Sequence, residues 1–317
     1  MSASAIPGAW LRQESAFRDH VGTDEFPAAA GRYHLYVCLA CPWSHRAVIV
    51  RRLKGLEDAI SISYVHPYRD ERGWAFPGGE HTDEVNGFDF LSEAYERTRP
   101  GYEGRVSVPV LWDRETGRIV SNESADIVRM LGREFDAFAA NPELDLYPED
   151  LRDEIDALNE WIYSDVNNGV YRAGFAGSQD AYEEAFAGVF RGLARVEEIL
   201  GELRYLAGDR LTEADWRLFP TLARFDAVYY VHFRCNGRRV VDHPNLWSYA
   251  RELYQHPGIA ETVPFDEIKE HYYATHAELN PKRIIPAGPL DQDWWSAPNA
   301  RNSSRADASP SSSERSR

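Results

Sequence analysis

The sequence predicts an α/β domain followed by an all-helical domain. Strand-like apolar runs occur at 33–38, 60–65, 106–112 and 118–121, all in the first half of the chain. From Pro148 onward, apolar residues recur only at helical spacing. Between the first strand pattern and the first helix pattern stands a cysteine followed by proline, Cys41-Pro42. At 317 residues the chain has room for two domains of about 150 residues each, and a composition that is 43% hydrophobic and 13% aromatic can bury a core in both.

Residues 1–30 are mixed in character and read as an extended arm laid on the fold. A strand over 33–38 follows Gly31, and Cys41-Pro42-Trp43 opens a helix that runs to about Lys54. Pro42 suits a first helical turn, where its missing N–H costs nothing. Ile60-Ser-Ile-Ser-Tyr-Val65 alternates as a strand does. Residues 66–104 read as a long irregular insertion, which is usually functional or disordered; Trp74, Phe76, Phe88, Phe90 and Tyr95 argue against disorder. A strand pattern over 106–112 is broken by Pro109, a turn spans 113–117, a return strand 118–121, and Asn122-Glu123-Ser124 starts a helix to about Leu131. Strand, helix, strand, insertion, strand, hairpin, strand, helix is the order of a thioredoxin-like domain, here 31–140.

The helical domain is expected over 148–295. Leu151, Ile155, Leu158 and Ile162 share one helix face, and Phe186, Val189, Phe190, Leu193, Val196 and Leu200 another. Thr212-Glu213-Ala214-Asp215 is a capping box ahead of an apolar run, and Leu246, Tyr249, Ala250 and Leu253 mark a further helix. Residues 296–317, rich in Ser, are expected to be a disordered tail.

A formal charge of −16 repels phosphate backbones, so nucleic acid is not an expected partner. No apolar run of membrane-spanning length occurs, and 1–10 lacks the regions of a signal peptide, so neither membrane nor secretion is expected. Three cysteines in so long a chain make no disulfide framework and point to a reducing, cytoplasmic setting.

A helix N-terminus carries positive partial charge and unpaired N–H groups, which stabilise a thiolate placed there. Cys41 is so placed and is the expected nucleophile; Ser44 occupies the position where a dithiol enzyme has its second cysteine, so the resolving thiol should come from outside, as glutathione could supply it. Pro109 is expected to form a cis peptide facing Cys41, exposing the backbone of Val108 to an extended peptide. Glu123 and Ser124, at another helix start, suit the γ-glutamyl end of glutathione. Separately, Cys38-x-x-Cys41 with His232-x-x-Cys235 could mimic a zinc site, but Cys38 falls within an apolar strand and the pairs lie far apart, so no metal is expected.

Several segments in order resemble the glutathionyl-hydroquinone reductases, the Xi class of glutathione transferases: 36–46 (YVCLACPWSHR), Gly73-Trp74-Ala75-Phe76, 108–113 (VPVLWD), Asn122-Glu123-Ser124, 224–229 (RFDAVY), 232–236 (HFRCN) and 268–273 (IKEHYY). The resemblance spans about 25–295 and implies glutathione transferase architecture, glutathione as co-substrate, an aromatic glutathionyl-hydroquinone as substrate, and a homodimer. It implies attack by Cys41 on the sulfur of the substrate, release of hydroquinone, and discharge of the mixed disulfide by a second glutathione. It also implies that Tyr171 donates the proton, with Tyr229 and Tyr272 beside it (Tyr273 is an alternative for the last), and that Trp74, Val108, Glu123 and Ser124 bind glutathione. Arg105 and Arg129 are candidates for its glycine carboxylate. Cys38 and Ser44 depart from the serine and alanine expected at these positions; Cys38 raises the further expectation of a reversible disulfide with Cys41. An Omega-type thiol transferase or dehydroascorbate reductase, and a catalytically silent interaction protein, are the alternatives.

Overall fold

The computed structural model describes residues 6–290, 292–299 and 301. In the first domain β1 (Tyr33–Val37) pairs in parallel with β2 (Ser61–Tyr64) and antiparallel with β3 (Val110–Asp113), which pairs antiparallel with β4 (Arg118–Ser121). The sheet order β2-β1-β3-β4 places β1 inside, which explains why all five of its residues are buried. Helices α1 (Pro42–Lys54) and α3 (Ser124–Arg133) pack against each other. The third strand is shorter than its sequence pattern: pairing begins after Pro109, which has no N–H for a ladder. Arm residue Arg18 bridges to Ser121, so the arm covers the outer edge of β4.

The insertion is ordered and includes a helix, α2 (Ser92–Thr98), which the irregular sequence did not reveal. Buried Asp83 organises it, accepting hydrogen bonds from the Tyr36 hydroxyl and from the N–H groups of Val85, Asn86 and Phe88. These groups would otherwise be unpaired inside the protein.

The second domain is helical: α4 (Arg152–Trp161), α5 (Gly169–Gly174), α6 (Gln179–Glu202), α7 (Glu213–Arg224), α8 (Pro244–Tyr254) and α9 (Phe265–Thr275). A π-helical segment, Ile162–Asn167, joins α4 towards α5, and another, Phe225–Tyr229, continues α7. At the start of α7 the Thr212 N–H donates to the Asp215 carboxylate, as its sequence motif predicts, and the Thr212 hydroxyl donates to the same oxygen. The stretch expected to be disordered begins ordered: Asn299 is buried and bonded to Ser248, and Arg301 pairs with Glu252. These polar side chains find partners on α8, which composition alone does not show. The remainder, 302–317, lies outside the described residues. Among the described residues no helix is long and apolar enough to cross a membrane.

Candidate active site

Cys41 forms the N-cap of α1, with extended backbone (φ −82°, ψ 123°) and no side-chain capping bond, and Pro42 follows at the first helical position. Its Sγ lies 3.7 Å from the carbonyl oxygen of Val108, and the Val108–Pro109 peptide is cis. Buried Ser44 accepts a hydrogen bond from the Cys38 N–H at 3.3 Å. Cys38 is fully buried as a free thiol, and desolvation raises its pKa well above the ordinary value, with the Cys41 charge adding to the effect. This holds Cys38 in the poorly nucleophilic thiol form.

Two cavities meet at Cys41. The first is bounded by Val108, Pro109, Glu123 and Ser124, with Trp74 and Arg105 at its border. Glu123 caps α3, accepting from the Ala125 N–H at 3.0 Å, while its other oxygen accepts from the Ser15 hydroxyl at 2.9 Å. The second, about 300 Å³, shares Arg12, Cys41, Trp43, Trp74 and Arg105 with the first and is closed by Tyr171, Tyr272, His271 and His276. Trp74 stacks on His271, with ring centroids 5.2 Å apart; its indole N–H is buried without a partner among the described residues.

The tyrosines converge. The Tyr171 hydroxyl is 2.5 Å from that of Tyr272, which is 3.0 Å from that of Tyr229. Tyr171 and Tyr272 line the second cavity, while Tyr229 is fully buried behind them. Tyr273 turns away and donates to the Ala227 carbonyl. Burial raises the Tyr171 pKa, the Cys41 charge raises it further, and Arg12 and the Tyr272 hydroxyl oppose the rise. Tyr171 therefore carries its proton at neutral pH beside groups that stabilise its loss.

Arg129, a candidate for the glycine carboxylate, is instead tied to Glu213 and Asp156. The sequence reading missed Arg12, Trp10 and Ser15 of the arm, and also Arg69, Trp43, His271 and His276. The arm carries no periodicity that could single out its residues, and Arg69 lies in the irregular insertion. Cys235 is buried and contacts the Phe233 carbonyl, while His232 bonds to His276 at 3.2 Å. Among the described residues no group of three His, Cys, Asp or Glu side chains is placed to hold a metal.

Buried Arg224 supports the Cys41 loop from the helical domain. It donates to the carbonyls of Leu39 (2.6 Å), Ala40 (2.9 Å) and Pro220 (2.8 Å), and to His45 Nδ1 (3.1 Å). The Thr262 hydroxyl donates to the Ile259 carbonyl, so it accepts from His45 Nε2; that assigns the neutral Nε2–H tautomer and leaves Nδ1 free to accept from Arg224.

Burial also holds other histidines neutral: the pKa falls to about 4 for His34 and His232, about 3 for His271 and about 2 for His276. The unfolded chain binds these protons near the ordinary value of about 6.5 and the folded chain does not. Stability is thus full above that value and is lost as pH falls from about 6.5 towards 4, by up to about 1.4 kcal/mol per pH unit for each histidine. Melting temperatures measured from pH 8 to 4.5 should fall by several degrees per unit below 6.5; an unchanged melting temperature would contradict the buried neutral assignment.

The first domain matches the family model "Glutathione S-transferase, N-terminal domain" over residues 40–134, and the second matches "Glutathione S-transferase, C-terminal domain" over 179–252. The chain is 52% identical to the glutathionyl-hydroquinone reductase YqjG of Escherichia coli, with 89% of each chain covered. The glutathione-bound YqjG structure superposes with a TM-score of 0.86 at 51% identity, covering 90% of this chain and 96% of that one. Similarity to the glutathionyl-hydroquinone reductase PcpF of Sphingobium chlorophenolicum is 48%, over 89% of this chain and 90% of that one. A Xi-class glutathione transferase from Natrialba magadii superposes with a TM-score of 0.87 at 52% identity, covering 90% and 89%. The chain belongs to the glutathione S-transferase family, within its glutathionyl-hydroquinone reductase or Xi-class branch.

Proposed function

We propose that this enzyme reduces glutathionyl-hydroquinones to hydroquinones at the expense of glutathione. The observation that carries the reading is a cysteine at a helix start facing a cavity whose wall holds linked tyrosine hydroxyls. Glutathione binds in the first cavity, its backbone against Val108 beside Pro109, its γ-glutamyl end at Glu123 and Ser124, with Trp74 and Arg105 bordering it. The Cys41 thiolate attacks the sulfur of the substrate and forms a disulfide bond. The aryl carbon–sulfur bond breaks, its electron pair stays with the ring carbon, and that carbon takes a proton from Tyr171, which Tyr272 and Tyr229 support. A second glutathione thiolate then attacks the glutathione sulfur, Cys41 leaves as thiolate, and glutathione disulfide is released. The free thiols fit a reducing, cytoplasmic setting. A homodimer is inferred from family membership and is open to sedimentation analysis.

Tyr171→Phe separates this reading from a general thiol transferase. Breaking a carbon–sulfur bond needs a proton at carbon, while breaking a disulfide releases a thiolate that needs none. The variant should lose about 10²-fold in hydroquinone release, the scale of general acid catalysis, and much less in reduction of a small disulfide. Equal losses in both assays would favour the thiol transferase.

A further inference from the structure

Three arginines surround the second cavity without an ion pair among the described residues: Arg12, Arg69 and Arg105. Elsewhere a buried arginine is either matched with an acid, as Arg32 is with Asp113, or has its donors taken up by backbone carbonyls and polar side chains, as Arg224 and Arg46 do. Arg12 donates through Nε to Asn168 at 2.8 Å and lies over the rings of Trp10, Trp43 and Tyr171, yet its Nη2 is buried with no acceptor. The Arg69 guanidinium lies 5.4 Å from the ring centre of Trp74. Desolvation lowers the pKa of Arg105, and the charges of Arg12 and Arg69 lower it further, so the three sense one another. Glu278 supplies one exposed carboxylate to this lining; its charge acts on Arg69 but forms no salt bridge with it, so guanidinium remains in excess. In a chain of charge −16, a concave surface with this excess of guanidinium is built for an anion.

Thiol–disulfide exchange tells which anion must come. The attacking thiolate approaches along the line of the bond that breaks, opposite the leaving sulfur. With Cys41 leaving, the second glutathione must enter where the hydroquinone carbon had been, on the side of the second cavity. Glutathione brings two carboxylates there, while the first cavity still holds the glutathionyl group on Cys41. Resting on the covalent cycle above, we propose that Arg69, with Arg12, is a carboxylate clamp that docks the second glutathione for attack on the mixed disulfide. An acidic substituent on the hydroquinone ring would present the same chemistry, and the test separates the two sources.

Cys41 is first loaded with glutathione from glutathione disulfide, which makes the test independent of the hydroquinone. Discharge is then followed with glutathione and with 2-mercaptoethanol, a thiol without carboxylates. Arg69→Met should slow discharge by glutathione about tenfold, the scale of one charge-assisted hydrogen bond, and discharge by 2-mercaptoethanol by much less; Arg69→Lys should recover part of the loss. Equal slowing with both thiols would overturn the assignment. So would a defect confined to adduct formation from a carboxylated, but not an uncharged, glutathionyl-hydroquinone, because it would place the acidic group on the acceptor. A wild-type protein whose Cys41 cannot be loaded would remove the covalent cycle itself, and the clamp with it.

Discussion

Replacing Cys41 with serine should lower hydroquinone release by at least about 10³-fold while leaving stability unchanged or slightly raised. A serine hydroxyl is not ionised near neutral pH, and no base is bonded to this position to activate it, so the covalent step has no nucleophile. The fold loses little: Cys41 makes one long contact, Sγ to the Val108 carbonyl at 3.7 Å, and caps no N–H with its side chain. Serine is a favoured N-cap residue, so the hydroxyl can bond a first-turn N–H and gain about 0.5–1 kcal/mol. Opposite signs in activity and stability separate a catalytic role from a packing role. A Cys41→Ser variant that is as active as the wild type, or one that is grossly destabilised, would contradict the assignment.

Arg224→Met should destabilise the protein by about 3–5 kcal/mol, the scale of breaking a buried charged network. The substitution leaves the Leu39, Ala40 and Pro220 carbonyls and His45 Nδ1 without their donor. Each such buried orphan costs about 1–3 kcal/mol, partly relieved by relaxation. Because Leu39 and Ala40 lead directly into Cys41, the remaining folded protein should also turn over slowly, by up to about 10²-fold if the sulfur shifts by about 1 Å. Lysine should rescue only part, since one ammonium cannot reproduce a planar fork bonded to four acceptors. Denaturant unfolding that places Arg224→Met within about 1 kcal/mol of wild type would show that Arg224 does not hold the loop.

Much of this frame is legible from local pattern. A run of apolar residues followed by cysteine and proline marks the strand-to-helix corner at Cys41, because strand burial and the tolerance of a first turn for proline are local properties. The capping box at Thr212 is legible for the same reason. The helix at 92–98 is not: it is short, its termini carry no side-chain cap, and only Ala94 and Tyr95 are buried. Ordered Asn299 and Arg301 were equally hidden, because their partners Ser248 and Glu252 lie some fifty residues away. The tyrosine cluster became legible through family resemblance, since nothing local distinguishes Tyr272 from Tyr273; the fold does so by turning one hydroxyl to Tyr171 and the other to a backbone carbonyl. Arg12 and Arg69 carry no local signal, because their significance lies in the one cavity that brings them together with Arg105 in three dimensions.

The most direct test is the mass of the intact protein after one turnover's worth of substrate. Reduced enzyme mixed with a glutathionyl-hydroquinone, without free glutathione, should gain the mass of one glutathione on Cys41 as one equivalent of hydroquinone appears. The adduct should vanish when glutathione is added, and Cys41→Ser should show none. Hydroquinone release without any adduct on Cys41, or an unmodified protein with unreacted substrate, would contradict the covalent cycle.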